Sequence, residues 1–257
     1  MNIAFIIGCA RSGTSILGEL IAAHPDVRYI FEAHHVWEVA GPGEGESDRL
    51  TEKDATPSVI KFVRGWFMSQ QGSAILTVEK NPRNVLRIPY IKRIFPEAKI
   101  IHIVRDGRDV ACSMLPGIGG TEWLHLKPPA WKNLRHEPEI VRCAKVWRDT
   151  VQIALSDLEG IPHLSVKYEA LVSSPHKTAL AIMKYLDLKE DQRVNEFCMK
   201  IQNATHGSYH AQHQLVWYRN NHSLRIGRWR ENLTPDQQQV VQGILEESLR
   251  MLGYQSG

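Results

Sequence analysis

Apolar and polar stretches alternate along the chain with two different periods. Residues 1–7 are almost entirely apolar and predict a buried strand. Residues 14–24 carry apolar side chains three and four positions apart, which predicts a helix directly after the loop. Further strands are predicted over 27–31, 74–78, 99–104 and 163–167, and helices over 57–70, 85–94, 107–114, 138–158, 175–186, 190–203 and 235–252. This alternation favours an α/β fold, a parallel sheet with helices on both faces.

Length and charge narrow the class of protein. The 257 residues fit a single α/β domain over 1–257, and a net charge of +3 is too small to indicate a nucleic-acid partner. The four cysteines form no C-x-x-C pair, and no apolar run reaches the roughly 20 residues of a membrane span. The chain opens on its first predicted strand, which leaves no room for a signal peptide. We therefore expect a cytoplasmic protein.

Residues 116–138 interrupt the regular pattern with prolines and glycines. Trp123 and Trp131 lie among them. Long loops of this kind in compact domains often bind ligands, so we expect a surface loop beside an acceptor site. A packed, irregular connection is the alternative.

A glycine-rich loop joins the first predicted strand to the first helix. Gly8 and Gly13 keep the spacing of the phosphate loop G-x-x-x-x-G-K-[ST], but Thr14 stands where that motif has its lysine. Arg11 is the cation of the loop. Free amides at a helix start bind anions, so the loop predicts a site for a phosphate-like group. The missing lysine suggests that the transferred group is not a phosphoryl group.

Ionisable side chains follow each of the first four predicted strands. They are Arg11, Glu32 with His34 and His35, Glu79 with Lys80, and Arg105. Ligands of parallel sheets bind beyond the carboxyl ends of the strands, so these side chains are expected to meet at one edge.

The motifs at this edge resemble those of the PAPS-dependent sulfotransferases, where PAPS is 3′-phosphoadenosine 5′-phosphosulfate. The resemblance runs from the N-terminus to about residue 113 and resumes at 163–175 and 223–235. It implies a P-loop-like fold, transfer of a sulfuryl group from PAPS to a hydroxyl-bearing acceptor, and PAP as the product.

The resemblance also implies roles for individual residues. Five consecutive residues would hold the 5′-phosphosulfate: Arg11, Ser12, Gly13, Thr14 and Ser15. Arg105 and Ser113 would grip the 3′-phosphate, Tyr168 would lie near the adenine, and Arg225 and Arg228 are the late cations. Taken without the resemblance, Asp106 caps a helix, Tyr168 is a half-buried aromatic residue and Trp229 belongs to the core.

Two departures decide which branch of the family the chain resembles. Pro82 occupies the position of the catalytic histidine of the cytosolic branch, whose late arginine-lysine-glycine triplet is also absent. The better resemblance is to tyrosylprotein and bacterial carbohydrate sulfotransferases, in which the general base falls on Glu32. His34 and His35 are alternative bases, since an unperturbed histidine pKa near 6.5 suits proton transfer.

The remaining catalytic expectations concern Lys80 and Arg11. Lys80 would stabilise charge on the departing oxygen, and Arg11 would clamp the phosphosulfate oxygens. The alternatives are ion pairs of Glu32 with Arg11 or Lys80, and of Lys80 with Glu79.

The sequence thus predicts a PAPS-dependent sulfotransferase with a carbohydrate, lipid or other small-molecule acceptor and no metal. One rival is a P-loop phosphotransferase or nucleotide kinase, which needs another lysine and magnesium. The other is a nucleotide-binding module without catalysis. His206, His210 and His213 have helical spacing, but Gly207-Ser208 argues against a helix, so we prefer solvent-facing histidines or a polar acceptor pocket to a metal site.

Overall fold

The computed structural model describes residues 1–40, 46–115, 126–203 and 222–255. Within these ranges the strands form one parallel sheet in the order β2-β3-β1-β4-β5. The strands are β1 (Ile3–Ile7), β2 (Val27–Phe31), β3 (Leu76–Lys80), β4 (Lys99–Val104) and β5 (His163–Lys167). The predicted parallel sheet is confirmed.

Helices cover both faces of this sheet. Those within the described ranges are α1 (Thr14–Ala22), α2 (His34–Trp37), α3 (Pro57–Gln70), α4 (Ile88–Ile94), α5 (Gly107–Met114), α6 (Glu139–Asp157), α7 (Tyr168–Ser173), α8 (Pro175–Tyr185), α9 (Gln192–Gln202), α10 (Trp229–Asn232) and α11 (Pro235–Met251). Each of these helices is too short or too polar to cross a membrane.

The alternation of side chains along β1 creates two separate cores. Phe5 packs with Trp37 and Phe67 on the face covered by α2 to α6 and α11. Its neighbour Ile6 packs on the opposite face, with α1 and α7 to α9. Because both faces are buried, the strand reads as a continuous apolar run.

Strand β3 begins and ends two residues later than its apolar pattern predicts. Ile75 is exposed, whereas Glu79 and Lys80 are buried members of the strand. Glu79 lies opposite Phe5 and Lys80 opposite Phe31 in the parallel pairing. Hydrogen bonds to these two charged side chains offset the cost of burying them, which apolarity alone does not reveal.

Most long helices match their predicted ranges, but short ones do not. The patterns missed α2, α7 and α10, each of six residues or fewer. The predicted helix over 85–94 is a 3-10 turn over Pro82–Leu86 followed by α4, which has Pro89 in its first turn.

The predicted loop at 116–138 is described from residue 126 onward. There, Leu126 and Trp131 are buried. The backbone amide of Lys127 donates to Oδ2 of Asp48, and the carbonyl oxygen of Lys127 accepts from the amide of Asp48. This portion is therefore a packed connection. Residues 116–125, including Trp123, lie outside the described residues.

Candidate functional site

The glycine loop takes a conformation that its two glycines permit. A Cβ at Gly8 would lie 2.5 Å from the carbonyl oxygen of Ile103. Gly13 has a φ of +94°, and a Cβ there would lie 2.4 Å from Cδ2 of Tyr168. The loop can approach its neighbours this closely because neither residue has a side chain. Helix α1 then begins at Thr14, with its first amides at the edge of a cleft.

The first cleft, with an empty volume of about 480 Å³, collects residues from four stretches of the chain. Its lining is Arg11, Gly13, Thr14, Ser15, Ile16, Arg105, Ser113, Tyr168, His222 and Arg225. Most of the residues predicted to bind the nucleotide therefore lie together. Ser12 and Arg228 are both buried, and neither is among the described residues that line this cleft.

Arg105 lies at the wall of the first cleft, where only 3% of its surface is exposed. Its Nη1 donates to the carbonyl oxygen of Arg11 at 3.2 Å, and its guanidinium carbon lies 4.4 Å from the centroid of the Tyr168 ring. Within the described residues its Nε has no hydrogen-bond partner. A buried guanidinium with an unused N–H suits an anionic ligand.

Arg11 adds a second cation to the lining of the cleft. Its Nε donates to Oγ of Ser113 at 3.2 Å, which joins the glycine loop to α5. Burial and the nearby charges of Arg225, Arg105 and Arg228 together lower the pKa of Arg11 to about 10. A polyanion would relieve this repulsion between cations.

Tyr168 and His222 close the back of the first cleft. Tyr168 is fully buried, which contradicts the alternative of a half-buried aromatic residue. Its hydroxyl lies 2.8 Å from Nδ1 of His222. His222 is a lining residue that no sequence motif indicated, although it immediately precedes the segment 223–235.

Asp109 connects α5 to that late segment. Its carboxylate accepts hydrogen bonds from the backbone amides of Gly227 at 2.8 Å and Trp229 at 3.1 Å. Trp229 is buried, as its core interpretation predicted. The carboxylate of Asp106 accepts a hydrogen bond from the amide of Arg108, so Asp106 does cap α5.

A second cleft, with an empty volume of about 730 Å³, adjoins the first. Its lining is Ala10, Arg11, Thr14, Ser15, Phe31, Glu32, His34, Asn81, Pro82 and Arg83. Arg11, Thr14 and Ser15 line both clefts. Ligands in the two clefts can therefore meet at the glycine loop.

Glu32 and Lys80 form an ion pair beside the second cleft. Nζ of the buried Lys80 donates to Oε1 of Glu32 and lies 3.7 Å from the centroid of the Phe31 ring. Burial raises the pKa of Glu32, but the hydrogen bond from His34 and the charge and hydrogen bond of Lys80 lower it to about 2. Burial lowers the pKa of Lys80 despite the opposing charge of Glu32. The ion pair considered as an alternative is thus present.

Glu79, on the other face of β3, supports the turn that carries Glu32. Its Oε1 accepts from the amide of Ala33 at 3.4 Å and from Nε1 of Trp37 at 3.2 Å, and its Oε2 accepts from Nδ2 of Asn84 at 2.7 Å. Burial raises the pKa of Glu79 to about 7. The sequence had indicated Glu79 as an ionisable group at this edge and as an alternative partner of Lys80.

The other candidate residues either lie away from the two clefts or are outside the described residues. The ring of His35 packs against Trp66 at 5.2 Å. His206, His210 and His213 lie outside the described residues, as does Trp217. Over the described ranges, no group of histidine, cysteine, aspartate and glutamate side chains could hold a metal ion.

The sequence profile described as "Sulfotransferase family" matches residues 4–192, which include most of both clefts. The chain belongs to the sulfotransferase family. This confirms the family that the glycine loop and the Arg105–Ser113 motif predicted.

Members of the sulfotransferase family with known names or structures resemble the chain in sequence and in fold. Protein-tyrosine sulfotransferase A of Caenorhabditis elegans is 26% identical over 204 residues, which are 74% of this chain and 51% of that protein. The chain thus spans about half the length of such curated relatives. Their name agrees with the predicted branch.

Two solved structures share the fold. The sulfotransferase domain from the curacin biosynthetic pathway has a TM-score of 0.61 at 16% identity and covers 100% of this chain and 99% of that one. Mouse sulfotransferase SULT7A1, solved with PAP, has a TM-score of 0.54 at 16% identity and covers 97% of this chain and 85% of that one.

Proposed function

We propose that this sulfotransferase family member transfers the sulfuryl group of PAPS to a hydroxyl group and releases PAP. The observation that carries the proposal is the junction of the two clefts at Arg11, Thr14 and Ser15. One cleft is strongly cationic, as a donor with two anionic ends requires. The other is lined by the carboxylate of Glu32, with the buried Lys80 paired to it, as proton removal and leaving-group stabilisation require.

The residues of the first cleft fit this donor. The loop from Arg11 to Ser15 would hold the phosphosulfate, since α1 directs free amides there and Gly13 allows a close approach. Arg105 and Ser113 would hold the 3′-phosphate, for which the unpartnered Nε of Arg105 within the described residues is suited. Tyr168 packs beside them, and Arg225 and Arg228 add positive charge.

The residues of the second cleft fit proton removal from the acceptor. PAPS supplies the sulfuryl group, and Glu32 would accept the hydroxyl proton. A carboxylate held by Lys80 is a weak base, because that contact lowers its pKa. When Lys80 turns to the departing bridging oxygen, the pKa of Glu32 rises and its Oε1 becomes available. One motion of Lys80 therefore serves both ends of the reaction.

The test is release of PAP from PAPS with a panel of hydroxyl acceptors. The panel includes sugars, a lipid alcohol and a phenol, and also a tyrosine peptide because the curated relatives are named protein-tyrosine sulfotransferases. We expect acceptor-dependent transfer that persists in EDTA, since Thr14 replaces the lysine of the magnesium-dependent motif.

Two outcomes would contradict the proposal. Turnover of ATP that requires magnesium would indicate a phosphotransferase. Binding of PAP without transfer to any acceptor would indicate a nucleotide-binding module. The cytoplasmic location stays a prediction, which cell fractionation can test.

A further inference from the structure

Both oxygens of the Glu32 carboxylate have a partner. Oε1 accepts from Lys80, and Oε2 lies 3.1 Å from Nε2 of His34. Glu32 itself has a φ of +48°, a left-handed conformation that costs energy for a residue with a side chain. The amide of His34 donates to the carbonyl oxygen of Glu32 at 2.7 Å. This tight turn brings the imidazole of His34 back to the carboxylate two residues earlier.

The second nitrogen of His34 faces a buried amide. Nδ1 lies 3.4 Å from Nδ2 of Asn81, a fully buried side chain at the end of β3. Oδ1 of Asn81 accepts from the backbone amide of Arg83 at 3.1 Å. Because the oxygen is used in this way, Asn81 presents its NH₂ group to His34.

This chain of hydrogen bonds determines where the imidazole carries its proton. Facing an NH₂ donor, Nδ1 must act as an acceptor, so the proton resides on Nε2 and points at Glu32. An imidazolium ion would place a second N–H against the NH₂ group of Asn81. The contacts therefore favour the Nε2-protonated tautomer and engage the lone pair that a histidine base would need.

From these contacts we propose that His34 is a positioning residue for Glu32 rather than the base itself. Held in one tautomer by Asn81, its Nε2–H keeps Oε2 in place while Oε1 changes partners. Hydrogen bonds of this kind orient reactive groups in many enzyme sites. The inference builds on the proposed function, because it assigns the base role to Glu32.

Substitutions at two adjacent histidines test the proposal. His34→Ala is expected to lower kcat about 10- to 100-fold, the range typical of lost orienting contacts, with KM for PAPS and affinity for PAP unchanged. His34→Gln is expected to restore most of kcat, since a glutamine amide can donate to Glu32 and accept from Asn81 but cannot serve as a base. His35→Ala is the matched control, because its ring contacts Trp66 and should leave kcat unaltered.

Two kinetic results would overturn the assignment. If His34→Gln binds PAP normally but is as slow as His34→Ala, the ring of His34 itself exchanges protons. If His34→Ala retains the wild-type kcat, Glu32 needs no such support.

The ring tautomer provides a readout that does not depend on activity. Nitrogen NMR of histidine-labelled protein in alkaline buffer, assigned with the His34→Gln variant, should show the proton of His34 on Nε2. Asn81→Asp should shift His34 towards the doubly protonated form, and an unchanged tautomer would refute the role of Asn81. If the wild type transfers no sulfuryl group at all, the proposed function is wrong. The NMR result would still show whether Asn81 and Glu32 hold His34 in one tautomer.

Discussion

The two clefts share the glycine loop but differ in how their charged side chains are paired. In the first cleft, Arg11 and Arg105 lie close enough for their charges to repel, with Arg225 nearby. Beside the second cleft, Glu32 and Lys80 neutralise one another. The first cleft is therefore prepared for an anion before one arrives, whereas the carboxylate that lines the second is already paired with a buried cation. Under the proposed function, the donor would bind to a cleft that is already cationic. Sulfuryl transfer would begin only when Lys80 leaves Glu32.

The largest effects are expected from the Glu32–Lys80 ion pair beside the second cleft. Lys80→Ala and Glu32→Gln should each lower kcat by roughly 10²-fold or more, because one removes charge stabilisation and the other removes the base. Affinity for PAP, measured by calorimetry, should change little in Glu32→Gln. Near-normal rates in both variants would show that the pair is merely a structural ion pair.

A smaller effect, confined to binding, is expected from the first cleft. Arg105→Ala should weaken PAP binding about 10- to 100-fold, because charge-assisted hydrogen bonds contribute about 1.5–3 kcal/mol each. Arg64→Ala is the control, since Arg64 pairs with Glu97 away from both clefts. Equal affinities of wild type and Arg105→Ala in calorimetry would refute the assigned role.

The smallest effect concerns the stability that Glu79 contributes beneath the turn carrying Glu32, and it depends on pH. The pKa of Glu79 is raised by burial to about 7, so the folded state binds its proton more tightly than the unfolded chain. This contribution is full below about pH 4.5 and is lost as the pH rises through about 7. Relative to Glu79→Gln, the wild type should therefore lose thermal stability between pH 5 and 8.

Thr77→Val provides the comparison for that measurement. Thr77 is equally buried on the same face of β3 and does not titrate. The melting temperature of the Thr77→Val variant should change with pH as that of the wild type does. A wild type and a Glu79→Gln variant with parallel pH profiles would contradict the raised pKa.

The sequence predicted the first cleft better than the second, for a physical reason. The glycine loop and the Arg105–Ser113 stretch are contiguous motifs, each carried by one strand–helix junction, so local pattern was enough. Glu32 and Lys80 could be named because each lies at or just past a strand end. Their mutual contact, across 48 positions of chain, depends on β2 and β3 being neighbours in the sheet.

Contacts between distant segments account for what the sequence did not reveal. The hydrogen bond from Trp37 to Glu79 and the contact between Tyr168 and His222 each join residues more than 40 positions apart. Buried charge was a second obstacle. Two consecutive charged residues usually indicate that a strand has ended, but Glu79 and Lys80 are buried residues of β3. Burial of such groups becomes affordable only through partners supplied by the tertiary fold.

A crystal structure with bound PAP would show where each phosphate of the nucleotide lies. We expect the 5′-phosphate at the amides of Gly13, Thr14 and Ser15 and the 3′-phosphate at Arg105 and Ser113, with the second cleft open beside Glu32. A nucleotide bound elsewhere, or a divalent ion bridging its phosphates, would contradict this expectation.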